Sequence, residues 1–349
     1  MEVYAAKNPD EEIRMQSSSG GIFTMLAEKT IAEGGVVFGA RFNEQWNVIH
    51  DFAETIEGIA AFRGSKYVQS RIGDTYKQAE MFLKQGREVL FSGTPCQIAG
   101  LKLFLHKDYE NLFAVDVVCH GVPSPLVWQE YLKRVMRPEG ADGENTVLSS
   151  LNGIPLITGI AFRDKRLGWR KYGFEIRKSA LEADKNSVLK SGINQEKAFL
   201  FEPLTENVYM QGFLHNLYLR PSCHACPARQ GKSGSDLTIA DYWGIARWLP
   251  EFDDDKGVGL VLINSKKGAS VYSDLKVDAL ETSYEQALAG NPCIEHSVAI
   301  PKSRAEFWRR FPDEGVDVIA PICRKMRPGL IRRGLSLGKK IAKRIIRRK

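Results

Sequence analysis

The chain has no run of apolar residues long enough to cross a membrane. A membrane-spanning helix needs about 20 consecutive, mainly apolar residues, and no stretch of the 349-residue sequence approaches that length. The opening residues, MEVYAAKNPDEEIRM, also lack the apolar core of a secretory signal. We therefore expect a cytoplasmic protein, in which structural disulfides are rare. Its six cysteines are then free, catalytic or metal-bound.

The sequence also lacks a DNA- or RNA-binding motif, and its net charge of +7 does not indicate one. Residues 324–349 hold 12 of the 49 basic residues and no acidic residue, which leaves 37 basic against 42 acidic residues elsewhere. The positive charge therefore belongs to a tail and not to a nucleic-acid-binding face. We expect no nucleic acid among the partners.

Strand and helix signals alternate along residues 72–120, which is typical of a parallel sheet with helical crossovers. The predicted elements are a helix over Thr75–Gln85, a strand over Glu88–Phe91, a helix over Gln97–His106 and a strand over Leu112–Val118. Residues 136–200 are rich in Gly, Asn and charge and contain short strand-like pieces. We predict an α/β fold, with a mainly parallel sheet flanked by helices and a β-rich insertion. The predicted parts are an N-terminal α/β part (1–135), a C-terminal α+β part (136–320) and a basic tail (321–349).

Two cysteines follow successive strands of the predicted sheet. Cys96 lies on the turn SGTPCQIAG after the first strand, and Cys119 lies in VVCHG after the second. Ligands bind open α/β sheets beyond the carboxyl ends of the strands, and neighbouring strands lie about 4.8 Å apart. If these strands are neighbours, the two thiols can reach one centre.

A CxxC pair, Cys223 and Cys226, stands in SCHACPARQGKSG. Such a pair is half of a zinc site, a thioredoxin-like redox pair or two ligands of an iron–sulfur cluster. The Pro-Ser before it and the Pro/Gly loop after it argue against the thioredoxin arrangement, in which the pair opens a helix. Zinc and iron–sulfur clusters both take four ligands, and Cys96 and Cys119 are the natural other two.

The remaining cysteines and two histidines are weaker candidates for metal ligands. Cys293 and Cys323 have no cysteine close in sequence and are expected to be ordinary thiols. His120 and His224 adjoin candidate ligands and could enter a mixed zinc site, although a structural role is commoner for histidine.

A serine–glycine run precedes a predicted helix in QSSSGGIFTMLAEKTIAEGG. Ser17–Ser19 can N-cap this helix, and Gly34-Gly35 can end it. Free backbone N–H groups at such a helix start suit a phosphate. The alternative is that these residues only cap the helix.

Four segments together resemble the beta subunit family of coenzyme F420 hydrogenase/dehydrogenase. They are SSSGGIFTMLA (17–27), RGSKYVQS (63–70), GTPCQIAGLK with VVCHGVPSP (93–125), and CHACPAR with SDLTIADYWGI (223–245). The resemblance runs through most of residues 15–310. It implies an iron–sulfur flavoprotein oxidoreductase that contains FAD and a [4Fe–4S] cluster and moves electrons between a hydride-type substrate and one-electron carriers.

The resemblance assigns residues to both cofactors. It implies cluster ligands at Cys96, Cys119, Cys223 and Cys226, in an iron–sulfur-binding segment. It implies FAD contacts at Ser19, Gly20, Gly21, Ser65, Lys66, Tyr67, Val68, Gln69, Thr94, His120 and Asp241. It identifies no catalytic residue.

The chain departs from many relatives because it has no cysteine before Cys96, whereas they begin with a ferredoxin-like segment. We therefore expect a separate electron-transfer partner, such as a ferredoxin. The organic substrate is F420-like or a glycan-pathway intermediate, since relatives outside hydrogenases often accompany polysaccharide biosynthesis.

The basic tail is a second departure. Leu330, Leu337, Ile341 and Ile345 can share one helical face among cations, which suits a peripheral contact with the inner membrane face. A solvated cationic end is the alternative. Two other functions stay open for the whole chain: a zinc-stabilised, non-catalytic scaffold in a polysaccharide biosynthesis complex, and a thiol-nucleophile transferase that uses Cys96 with His120.

Overall fold

The computed structural model describes residues 2–137, 157–179 and 196–326. The strands in these ranges are β1 (Val3–Lys7), β2 (Val36–Phe42), β3 (Val48–Ala53), β4 (Val89–Gly93), β5 (Leu112–Val117), β6 (Ile157–Asp164), β7 (Gly173–Ser179), β8 (Glu196–Pro203), β9 (Leu237–Asp241), β10 (Gly259–Ile263) and β11 (Asp278–Thr282). The helices are α1 (Glu11–Gln16), α2 (Ile22–Ala32), α3 (Ile56–Ile59), α4 (Thr75–Lys84), α5 (Pro95–Leu105), α6 (Pro125–Met136), α7 (Val208–Leu214), α8 (Lys266–Ser273), α9 (Tyr284–Gly290), α10 (Arg304–Glu314) and α11 (Ile319–Met326).

The predicted tail lies mostly outside the described residues. Its first residues complete α11, in which Ile322 and Cys323 are buried. The proposed amphipathic face and its membrane contact, from residue 327 onward, fall beyond the described part. Within that part, no helix combines the length and the apolar character that a membrane span requires.

Eight strands form one mixed sheet in the order β11-β1-β10-β9-β5-β4-β2-β3. Its core is parallel, because β2 pairs with β4, β4 with β5, and β5 with β9 in the same direction. The strands outside this core are antiparallel to their neighbours. The prediction of an α/β fold with a parallel sheet flanked by helices is confirmed.

Alternation along the parallel strands decides which helix covers which face. Val37 and Leu90 pack with α2 on one face, whereas Val36, Val89 and Phe91 pack with α4 and α5 on the other. Side chains of a strand point alternately to the two faces of a sheet, so these continuous apolar runs are buried on both sides. The carboxyl ends of β4, β5 and β9 consequently share one edge.

The β-rich insertion is a separate antiparallel sheet, in the order β6-β7-β8. It packs on α6 through aromatic rings: the Trp128 ring lies 5.1 Å from Phe162 and 6.2 Å from Phe174, measured between centroids. This sheet lies wholly after residue 135, whereas strands from both sides of that residue build the larger sheet. The boundary between the predicted N-terminal and C-terminal parts stays a prediction.

The start of α2 differs from the prediction. Its N-cap is Gly21, with a left-handed φ of 81°, and not a residue of the Ser17–Ser19 run. The serine hydroxyls have other partners, since Ser17 Oγ donates to Ile13 O and Ser19 Oγ donates to Val258 O, at 2.8 and 2.7 Å. The run instead follows α1, a helix that the sequence pattern does not indicate.

Strand β1 is also absent from the sequence prediction, although it is the strand that places the N-terminus inside the sheet. It lies between β10 and β11, and Val3, Ala5 and Ala6 are fully buried. Its sequence VYAAK is short and lies beside an acidic stretch. Only pairing with strands more than 250 residues later in the chain reveals it.

Candidate functional site

A cavity of about 580 Å³ opens at the carboxyl edge of β4, β5 and β9. All but one of the predicted FAD contacts line it: Ser19, Gly20, Gly21, Ser65, Lys66, Tyr67, Val68, Thr94, His120 and Asp241. Gln69 is the exception and lines a neighbouring cavity instead. We call the first cavity the central cavity. The fold thus brings together segments that are up to 222 residues apart.

Two glycines form the wall of the central cavity before α2. A Cβ on Gly20 would lie 2.3 Å from Ala6 O and 2.5 Å from Gly259 N, so no larger residue fits against the paired strands β1 and β10 at this point. Gly21 adopts the positive φ that glycine accepts without strain. The backbone N–H of Asn8 donates to Gly20 O at 2.7 Å. This turn is therefore fixed against the sheet.

Two buried basic side chains anchor the same turn. Lys165 Nζ donates to Ser19 O at 2.9 Å and to Arg14 O and Lys256 O at 2.8 Å. Burial lowers the pKa of Lys165 to about 7. Arg14 Nε donates to Gly257 O at 2.7 Å, and its guanidinium forms an ion pair with Asp254. These bonds tie the serine–glycine turn to the inserted sheet and to the loop before β10.

Residues 65–68 form a second wall of the central cavity. The backbone N–H of Ser65 donates to Ser18 Oγ at 2.7 Å, so this wall is bonded to the serine run. Lys66 Nζ donates to the carbonyl oxygens of Ala61 and Arg63 at 2.8 and 2.9 Å. Burial lowers the pKa of Lys66 to about 7. The Tyr67 ring stacks on Phe213 with 4.7 Å between centroids.

Asp241, at the end of β9, is held by partners that sequence reasoning did not find. Arg163 donates to both of its carboxylate oxygens, at 2.7 and 2.9 Å, and Trp169 Nε1 donates to Oδ1 at 2.8 Å. Arg163 lies on β6, and Trp169 lies in the connection between β6 and β7. The only signal in the sequence is a lone arginine in the apolar strand ITGIAFRD, which does not name its partner.

The Arg163 guanidinium lies among aromatic rings at the cavity wall. It stands 4.0 Å from the Tyr172 centroid and 5.0 Å from the Trp243 centroid, distances typical of cation–π contacts. Its side chain is only 3% exposed, and Nε has no hydrogen-bond partner among the described residues. Trp243 in turn stacks on Trp169, with 4.8 Å between centroids and an interplanar angle of 2°. The inserted sheet therefore completes the central cavity.

The four candidate cluster cysteines converge near this cavity. Cys96 lies in the first turn of α5 and is exposed, whereas Cys119 follows β5 and lines the cavity. Cys223 and Cys226 lie in and just after a 3₁₀ turn at 221–225. Burial raises the pKa of the Cys119 thiol, and the nearby thiols of Cys223, Cys96 and Cys226 raise it further. The other three thiols therefore lie within electrostatic reach of Cys119, and the pairing of β4 with β5 brings Cys96 close to it.

Two family models match this chain, and both describe the beta subunit of coenzyme F420 hydrogenase/dehydrogenase. Residues 3–75 match the model of the N-terminal part of that protein, and residues 86–286 match the model of its C terminus. The chain belongs to this family. The matched ranges contain both walls of the central cavity, Arg163 and all four candidate cluster cysteines. The members of this family are oxidoreductase subunits, and this chain is one of them.

One solved structure similar to this family member is a xenon derivative of the F420-reducing [NiFe] hydrogenase complex from Methanosarcina barkeri. The match has 17% sequence identity and a TM-score of 0.48, and it covers 93% of this chain and 90% of that chain. A comparison with curated proteins finds no match.

The two remaining cysteines and the two candidate histidines of this family member lie as follows. Cys293 Sγ lies 4.0 Å from His120 Nδ1 at the cavity wall, and Cys323 is buried in α11. His120 Nε2 contacts Asn216 Oδ1 at 2.6 Å, and burial lowers the pKa of His120. His224 Nδ1 contacts Val298 O at 3.0 Å. Both histidines thus have partners within the fold.

Proposed function

We propose that this chain is an oxidoreductase subunit that binds FAD in the central cavity and a [4Fe–4S] cluster at Cys96, Cys119, Cys223 and Cys226. The observation that carries the proposal is the shared position of Cys119. It lines the cavity that collects ten of the eleven predicted FAD contacts, and it lies within electrostatic reach of the other three thiols. When bound, FAD supplies hydride chemistry and the cluster supplies one-electron transfer.

The central cavity suits a large phosphate-bearing cofactor. Its volume of about 580 Å³ falls within the range typical of cofactor pockets. The turn at Gly20 and Gly21 brings bare backbone to the wall at the start of α2, where helix N–H groups favour phosphate oxygens. Lys66, whose pKa burial lowers to about 7, adds an amine to the wall formed by residues 65–68. In our proposal these groups bind the phosphates, and Tyr67, Val68 and Thr94 bound the rest of the cofactor.

Asp241 has a positioning role in this proposal. Three of its hydrogen bonds come from Arg163 and Trp169, so its carboxylate is fixed before any ligand binds. Arg163 Nε has no hydrogen-bond partner among the described residues, and aromatic rings surround the guanidinium. The wall therefore combines a free N–H donor with a mainly apolar surface. We infer that this wall orients the ring system of the cofactor and keeps water away from it.

The cysteine arrangement suits a cluster better than a single metal ion. Among the described residues, no three His, Cys, Asp or Glu side chains are grouped closely enough to hold one ion. A tetrahedral zinc site needs its sulfur ligands about 2.3 Å from one centre, whereas each cysteine of a cubane binds a different iron and the sulfurs lie farther apart. The Val122 N–H points at Cys223 Sγ at 3.4 Å, as a donor to a thiolate ligand would. The metal analysis described below separates the proposed cluster from the zinc-stabilised scaffold.

The partners in this proposal are an organic substrate and a separate electron carrier such as a ferredoxin. The cluster thiol of Cys96 is exposed at the first turn of α5, which suits exchange of electrons with another protein. In our proposal the substrate is F420-like or an intermediate of polysaccharide biosynthesis, and reduction assays with each compound distinguish the two.

Anaerobic purification with analysis of iron, acid-labile sulfide, zinc and flavin tests the proposal. We expect iron and sulfide in equal amounts, bound FAD and no stoichiometric zinc. A colourless protein that holds zinc at the four cysteines would overturn the proposal in favour of the scaffold. Metal-free protein whose activity is blocked by thiol alkylation would favour the transferase.

A further inference from the structure

A second cavity, of about 650 Å³, lies beside the central cavity and shares Ser70, Thr94, Gln97 and Val122 with it. Its own walls come from the β2–β3 turn, from residues 69–72 and from Arg220. We propose that this second cavity binds a small polyhydroxylated organic anion, of which a sugar phosphate is the simplest example.

Apart from Cys96, which the proposed function makes a cluster ligand, the charged side chains that line the second cavity have one sign. They are Arg71 and Arg220, and no described Asp or Glu lines the cavity. Neither guanidinium has a hydrogen-bond or ion-pair partner among the described residues. The chain outside residues 324–349 has more acidic than basic residues, so an acid-free wall with two arginines is a local feature. Guanidinium groups match the planar oxygen pairs of phosphates and carboxylates.

Backbone bonds hold the two arginines at separate walls. The N–H of His50 on β3 donates to Arg71 O at 2.8 Å, and the N–H of Arg71 donates to Val48 O at 3.0 Å. The N–H of Arg220 donates to Val122 O at 2.9 Å. The cationic groups are thus carried by fixed backbone even though their side chains are exposed.

Two helices begin at the wall of the second cavity. The first turn of α5 contributes Cys96 and Gln97, and α6 contributes Pro125, its first residue. The N-cap of α6, Ser124, makes no side-chain capping bond. Helix N-termini carry partial positive charge and attract anions. Their field adds to that of Arg71 and Arg220.

Two asparagine amides of the β2–β3 turn supply hydrogen-bond donors. Asn43 Oδ1 accepts from the backbone N–H groups of Gln45 and Asn47 at 3.1 and 2.9 Å, which can only donate. The oxygen must therefore face the turn, and the Asn43 NH₂ group has no acceptor among the described residues. A donor-rich wall suits the phosphate and hydroxyl oxygens of a ligand.

The amide of Asn47 is oriented in the same way. Gln129 Nε2 donates to Gln45 O, an acceptor only, and to Asn47 Oδ1 at 2.8 Å. The Asn47 oxygen is thereby engaged within the protein and its NH₂ group is left for a ligand. Gln69, predicted as an FAD contact, also lies at this wall, and we assign it to the second ligand.

The shared wall residues place such a ligand next to the central cavity. The claim that this ligand is the substrate of the flavin site rests on the proposed function. The claim that the second cavity binds it does not. The test is therefore a binding measurement. Isothermal titration of the purified protein at low ionic strength compares glucose 1-phosphate with glucose and with inorganic phosphate, and the flavin and iron contents of the same sample are measured.

We expect glucose 1-phosphate to bind more tightly than glucose or phosphate alone, and to bind more weakly as salt is added. Arg71→Gln and Arg220→Gln should each weaken binding about tenfold or more, because each removes a charge-assisted contact. Asn43→Asp should weaken it too, because it keeps the oxygen that the turn needs but replaces the NH₂ donor with a carboxylate oxygen. Arg247→Gln, an exposed arginine outside the cavities, is the matched control and should bind as the wild type does.

Absence of glucose 1-phosphate binding in the wild type would overturn the inference, as would an Arg71→Gln/Arg220→Gln variant that binds as tightly as Arg247→Gln. Flavin and iron in a protein that does not bind the sugar phosphate would overturn this inference alone. Binding by a protein that purifies without flavin and iron would overturn the proposed function alone.

Discussion

Arg163 and Asp241 form a buried ion pair through two hydrogen bonds, Nη1 to Oδ2 at 2.7 Å and Nη2 to Oδ1 at 2.9 Å. Arg163 belongs to the inserted sheet and Asp241 to the central one, so the pair joins the two sheets at the wall of the central cavity. Their side chains are 3% and 17% exposed. A pair in this position links the geometry of the site to the packing of the insertion.

Arg163→Met should lower the free energy of unfolding by about 3–5 kcal/mol, because it leaves the Asp241 carboxylate without its cation in a largely buried site. Urea denaturation measures this loss. Arg163→Lys should restore only part of it, because an ammonium cannot form the paired bonds of a guanidinium. Flavin content should fall in the same variants.

The matched controls are Arg163→Met/Asp241→Asn and Arg134→Met. The double variant removes the uncompensated charge and should recover part of the loss. Arg134 pairs with Asp317 at an exposed position, so its replacement should have a much smaller effect. Equal losses in Arg163→Met and Arg134→Met would contradict the role given to the buried pair.

Gly20→Ala should destabilise the protein by about 3 kcal/mol. Its Cβ would meet backbone atoms of Ala6 and Gly259 at 2.5 Å or less, so the turn would have to move away from the paired strands β1 and β10. Thermal or urea denaturation measures the loss. Gly34→Ala is the control for the close approach: Gly34, unlike Gly20, has a positive φ, and no described atom lies within 4 Å of the added Cβ. That variant should lose about 1 kcal/mol, and a larger loss than in Gly20→Ala would contradict the close-approach explanation.

Lys165 gives the stability of the protein a pH dependence with a definite sign. Burial lowers its pKa to about 7 in the folded chain, whereas an ordinary lysine titrates near pH 10. Between these values the unfolded chain holds a proton that the folded chain has released. The free energy of unfolding should therefore rise with pH across this window, by at most about 1.4 kcal/mol per pH unit.

Lys165→Met isolates this contribution. Urea denaturation of the wild type and the variant from about pH 6 to about pH 9 should show the wild type gaining stability relative to the variant as the pH rises above 7. Parallel curves would show that Lys165 keeps its proton throughout, held by the carbonyl oxygens of Arg14, Ser19 and Lys256.

Single replacements of Cys96, Cys119, Cys223 or Cys226 by serine should each lower iron content strongly, because a hydroxyl is a poor ligand for the cluster. Iron and sulfide analysis of anaerobically purified protein measures the loss. Cys293→Ser is the matched control, since Cys293 also lies at the cavity wall but is not one of the proposed ligands. Loss of iron in Cys293→Ser with retention in Cys96→Ser would contradict the proposed ligand set.

The sequence predicted the parts of this site that depend on local pattern. Apolar runs followed by turns located β4 and β5 and placed Cys96 and Cys119 just beyond their carboxyl ends. The Thr94–Gln97 capping box confirms that α5 begins at the turn that carries Cys96. The prediction that Ser17–Ser19 cap α2 was wrong, because the partners that engage Ser18 and Ser19 come from distant segments.

The sequence by itself determined the parallel core, the positions of the cysteines at strand ends and the family, because each depends on residues close in sequence. Only the tertiary structure decided which distant segments form one cavity. It paired Arg163 with Asp241, placed β1 between β10 and β11, and put Gln69 in the wall of the second cavity and not in that of the central one. These relationships depend on packing between segments tens to hundreds of residues apart, and no local periodicity encodes such contacts.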